Sequence, residues 1–176
     1  MGILTALYAV DKAVFETYKS QKRLKEMLDE LVGLSDHEAT FTSTRIGLDK
    51  AWDDFRPLLK PFLGGIEFDP PHAIAYRDMD VAYWEKPAAV WLLWAVADIA
   101  GSMDPLPKEQ LPAAFEVLKS KMAERLTNPR PWRTEWDGPF TPQTADYVYS
   151  HIVRATHFLT ELVESQADVV IVRVSA

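Results

Sequence analysis

The residue types best able to do chemistry follow one another between His72 and Glu85. An imidazole (His72), a phenol (Tyr76), a guanidinium (Arg77) and a carboxylate (Asp78) are followed by Trp84 and Glu85. Such groups on a loop could orient a small polar ligand or pass a proton to it. The same composition also suits a solvated loop with ordinary ion pairs. A second set lies toward the C-terminus, where Tyr147, His151 and Arg154 are spaced by four and three and so share one helical face. His157 falls on a different side of that helix from His151, which argues against the two imidazoles as paired metal ligands. A half-buried His151 with a local partner is the competing account. Asp49 and Lys50 could form a binding pair at a cleft mouth, or Asp49 could cap a helix with Trp52 turned inward.

Chemistry of another kind is offered by Trp132, Arg133, Glu135, Trp136 and Asp137. Trp and Arg dominate interface hot spots, and two indoles in a proline-stiffened loop lose little entropy on docking. The alternative is that both indoles pack on the chain's own helices.

Several reaction classes are disfavoured. Without cysteine there is no thiolate nucleophile, disulfide framework or Cys-ligated zinc. No His-Glu-x-x-His string or calcium-loop spacing occurs, and Gly64-Gly65 lacks the Lys-Ser or Lys-Thr of a phosphate loop. Ser102, Ser120, Ser150 and Ser165 stand outside any Gly-x-Ser-x-Gly elbow. No metal or cofactor is expected, and an enzyme is the less favoured class. With 26 acidic and 19 basic residues the formal charge is −7, which disfavours nucleic acid or an anionic membrane and favours a basic protein as partner. The longest apolar run, Pro87 to Ala97, is shorter than the roughly 20 residues that span a bilayer. Met1 to Ala6 carries no basic segment and does not read as a secretory signal, so the chain is expected in the cytoplasm. The oligomeric state is left open.

The elements that must position these groups follow from apolar patterning. Ile3–Val10 is predicted as a strand. Asp11 is predicted to cap a helix carrying Val14, Phe15, Tyr18, Leu24, Leu28 and Leu31, closed by Gly33. Ser35–Thr44 reads as a loop, and a helix is expected from Asp49, interrupted at Pro57. A further helix is predicted from Pro87 to about Ala100, ending at Gly101, and another from about Glu109 to Leu126 with Pro112 in its first turn. Asn128–Pro142 is read as a loop. Thr141 or Thr144 is expected to cap a last helix, with Val148, Ile152, Ala155, Leu159 and Leu162 on one stripe. The β-branched run Val169–Val174 is predicted as a central strand covered on both sides. The chain is large enough, and at 48% hydrophobic rich enough, for a sizeable core. The expected fold is one mixed α+β domain over residues 1–176, whose small sheet includes both chain ends and packs with about five helices.

The opening Met1-Gly2-Ile3, the string Leu48-Asp49-Lys50-Ala51-Trp52 with Leu58-Leu59 behind it, the helix near Pro87 and the closing Ala167-Asp168-Val169-Val170-Ile171-Val172 together resemble the YfbM-like family. This is a bacterial family of a domain of unknown function. The resemblance implies a single α+β domain of about this size and no particular activity. Where family members carry a Gly-Tyr-Gly-Pro-Ala-Arg-like string, this chain reads Ala75 to Trp84, and no family site is carried over to it.

Two functions remain. The preferred one is an acidic protein-binding module, such as an immunity or accessory protein, using the loop from Trp132 to Asp137. The alternative is a small-ligand binder or enzyme using residues 72–85 with His151 or Arg154.

Overall fold

The computed structural model describes residues 5–33, 43–49, 70–85, 91–127 and 141–175. They fold as a mixed α+β structure with five strands in one antiparallel sheet. The chain groups into two compact units: one holds the sheet and the first two helices, the other the remaining helices. Among the described residues no helix is long and apolar enough to cross a membrane.

Strand β1 (Thr5–Asp11) runs into helix α1 (Lys12–Ser20). The Asp11 carboxylate accepts the Val14 amide at 3.0 Å and so caps the helix as expected. The single helix predicted to run on to Gly33 is in fact two. Helix α1 stops at Gln21, and α2 starts afresh as Leu24–Gly33. The break is a left-handed cap: Lys22 has φ 59°, its amide donates to the Lys19 carbonyl at 3.1 Å, and the Arg23 amide donates to that of Tyr18 at 2.8 Å. The turn lets both helices cover one sheet face, with Phe15 from α1 and Met27, Leu28 and Leu31 from α2.

Strand β2 (Ser43–Asp49) corrects one expectation. Ser43 and Thr44 belong to a strand rather than a loop, and Asp49 is the last residue of that strand, paired with Thr5. Lys50, Trp52 and the helix expected to hold them lie outside the described residues. The stretch 72–85 is also no loop. It is a hairpin of β3 (His72–Tyr76) and β4 (Met79–Glu85), in which Tyr76 faces Met79 across the turn Arg77-Asp78.

Strand β5 (Val169–Ser175) closes the sheet in the order β2-β1-β5-β4-β3. Its central place is as predicted, and it pairs with β1 from Thr5↔Ser175 to Asp11↔Val169, so the two chain ends meet. All seven residues of β5 are buried, which explains an unbroken β-branched run in an antiparallel strand. Tyr8, Val10, Val81, Tyr83, Val170, Val172 and Val174 form the core face toward α1 and α2. Leu7, Ala9, Ala82, Trp84 and Ile171, on the opposite face by strand alternation, are buried as well.

The second unit holds α3 (Trp91–Ile99), a 3-10 turn at Lys108–Gln110, α4 (Leu111–Thr127) and α5 (Pro142–Glu164). Pro112 sits in the first turn of α4, where its missing amide is harmless. Thr141 immediately precedes α5, and its carbonyl accepts the Ala145 amide at 2.9 Å. The stripe Val148, Ile152, Ala155, Leu159 and Leu162 is buried throughout. The three helices pack on one another.

Candidate functional site

The hairpin positions six of the predicted site residues, and alternation along β4 separates them. Tyr83 and Glu85 point to the side of α1, whereas Trp84 points to the other side of the sheet and is buried. Six residues that look contiguous in sequence therefore do not converge on one point.

Tyr76 and Arg77, at the hairpin tip, find their partner within their own unit. The Tyr76 hydroxyl donates to Asp29 Oδ1 at 2.8 Å, and Arg77 Nη2 donates to the same oxygen at 2.6 Å. The Arg77 guanidinium also lies 5.0 Å from the centre of the Tyr76 ring. Arg77 takes φ 48° to reach this place. Burial, and secondarily the bond to Asp29, raises the Tyr76 phenol above its ordinary pKa, while Arg77 works against both. The result is a latch between α2 and the hairpin tip. Asp78, the other turn residue, is exposed.

At the far end of the hairpin, the exposed His72 ring stacks on Tyr83 at 4.8 Å, and Tyr83 rests against Phe15 at 4.8 Å. Lys19 Nζ stands 5.7 Å from the centre of the Tyr83 ring and 3.7 Å from Glu16. Interaction with Tyr83 is the main reason the Lys19 ammonium is held above its usual pKa, with Glu16 adding to it. Glu85 lies 4.0 Å from Lys12. Asp80 pairs with Arg173, the one charge in β5; the Arg173 side chain is 8% exposed and that of Asp80 67%.

No family model, curated protein or solved structure matches the chain. The site is therefore read from its own geometry.

His151 and Arg154 belong to α5, in the second unit. His151 Nδ1 lies 2.8 Å from the Tyr147 carbonyl one turn earlier, and its ring packs on Tyr147 at 4.4 Å. It is a buried histidine with a local partner. Arg154 is exposed, and His157 sits edge-on against Phe115 at 5.4 Å. Among the described residues, no three His, Asp or Glu side chains gather as metal ligands. Trp132, Arg133, Glu135, Trp136 and Asp137 lie outside the described residues.

Sequence reasoning did not single out Asp29, Lys19, Tyr83 or Arg173. Asp29 and Lys19 read as ordinary wet positions of a helix, and nothing local tells which strand they meet. Arg173 did carry a signal: a lone charge in a central β-branched strand has to be partnered.

Proposed function

We propose that this chain is an acidic protein-binding module of the immunity or accessory kind, which covers a basic partner protein in the bacterial cytoplasm. One observation supports it over chemistry. The hairpin side chains best suited to a reaction do not converge: Tyr76 and Arg77 are taken up by Asp29, Glu85 faces Lys12, and Trp84 points the opposite way. The charge of −7 suits a basic partner and works against nucleic acid and anionic membranes. The similarity to the YfbM-like family is part of the same proposal and rests on the strings given above.

The test is affinity capture from the native cell at low salt, with wild-type chain and a Trp132→Ala/Trp136→Ala double variant. Recovery of a basic protein by the wild type, reduced in the variant, is expected; repeated recovery of nothing would refute the module. A second reading, a small-ligand binder, draws on the exposed His72 stacked on Tyr83 beside Lys19. It predicts a thermal shift with some small polar ligand that disappears in His72→Ala, and a screen in which no compound distinguishes the two proteins eliminates it.

A further inference from the structure

Helix α3 is the most apolar of the described helices, yet it leaves a large ring uncovered. Leu92, Leu93, Ala95, Val96, Ala97 and Ile99 are buried, whereas Trp94 is 40% exposed and Asp98 is open to solvent. A spacing of four puts Trp94 and Asp98 on the same face, one turn apart. The helix then ends in a rigid cap. Gly101 has φ 77°, its amide donates to the Asp98 carbonyl at 2.9 Å, and the Ser102 amide donates to that of Ala97 at 2.9 Å.

The turn after the cap is also held in place. The Ser102 hydroxyl donates to the Asp104 carbonyl at 2.8 Å and accepts the Asp104 amide at 3.3 Å. Between them Met103 is 90% exposed. A tryptophan and a methionine are thus presented on well-anchored backbone, each with an aspartate close by in the chain. Among the described residues neither Asp98 nor Asp104 has an ion-pair partner, unlike Glu16, Glu26, Asp29, Asp80, Glu85 and Glu161.

We infer that the Trp94 face of α3 and the following turn bind a basic amphipathic segment of a partner protein. The inference rests on the protein-binding reading above and supplies the partner's chemistry. Trp94 is the apolar anchor, Met103 adapts to the partner's apolar side chains, and Asp98 and Asp104 receive its Lys or Arg side chains. A partner helix with a cation one turn from an apolar residue matches the Trp94–Asp98 spacing. The overall negative charge disfavours an acidic segment on the same grounds.

The probe is a fluorescein-labelled amphipathic peptide of Lys and Leu in helical spacing, compared with its Glu and Leu analogue by fluorescence anisotropy on the full chain. The expected result is saturable binding of the basic peptide alone, about tenfold weaker in Trp94→Ala. Asp98→Lys weakens it further and flattens its salt dependence. Both positions are exposed, and unchanged thermal melts verify that the variants fold. Binding unaffected by either substitution, or equal binding of the acidic peptide, overturns the inference. So does sedimentation showing a dimer that Trp94→Ala dissolves, because a second copy then occupies the face. Capture of a cell protein that is lost in Trp132→Ala/Trp136→Ala but kept in Trp94→Ala and Asp98→Lys leaves the module standing and removes this site alone. Failure of both the peptide and the capture removes both.

Discussion

At the scale of single residues, the latch of Tyr76 and Arg77 on Asp29 is the most consequential arrangement around the hairpin. Tyr76→Phe removes one hydrogen bond and keeps the buried ring, so it is expected to cost about 1 kcal/mol in urea denaturation. Asp29→Ala orphans the hydroxyl as well and is expected to cost more, with a double-mutant cycle showing that the two losses are not additive. The pH dependence has a definite sign. The folded Tyr76 phenol is raised above its ordinary value, so its contribution is complete below about pH 10, where both states are protonated. It is lost as the pH climbs from there through the folded pKa, because the unfolded phenol ionises first. Stability measured between neutral and strongly alkaline pH should fall less steeply in Tyr76→Phe; Tyr8 and Tyr18 are raised too and keep part of the slope. The sequence showed that Tyr76 and Arg77 are chemically capable, but Asp29 is 47 residues from Tyr76, and no spacing rule reaches across that distance.

Elements are governed by their ends. Gly101 sits at φ 77° with open space where a Cβ would stand. Gly101→Ala should therefore cost about 1 kcal/mol through backbone strain alone, without any steric clash. Lys22 occupies the equivalent left-handed position after α1 without being glycine. Lys22→Gly should accordingly raise the melting temperature, by the equivalent of about 0.5–1 kcal/mol. An unchanged or lower melting temperature would show that the Lys22 side chain itself holds the turn. These cases explain which boundaries were legible. The Asp11 cap and the Gly101 stop announce themselves by residue type, and the structure has both. The break at Lys22 and the hairpin turn at Arg77-Asp78 contain no Gly, Asn-Gly or Pro, so α1 and α2 read as one helix and β3–β4 as a loop.

For the whole molecule, β5 is the member on which the sheet depends, because it alone joins the pair β2-β1 to the pair β4-β3. Its amides, hydrogen-bonded on both sides and buried, should exchange with solvent more slowly than those of edge strands β2 and β3. Fast exchange in β5 would contradict its central role. Val172→Ala, at a fully buried position in the middle of β5, should cost about 2 kcal/mol or more in denaturant unfolding. The sequence by itself determined the mixed α+β class, the strands near both chain ends, the buried stripe of α5 and the caps at Asp11 and Gly101. All of these depend on apolar periodicity or on residue types acting over a few neighbouring positions. Only the tertiary structure decided that 72–85 is a hairpin, that its polar side chains divide between two faces, and which acid holds Arg173. Strand pairing and left-handed turns at Lys22 and Arg77 are imposed by burial between distant segments, and that burial outweighs the local preferences a single stretch of sequence can display.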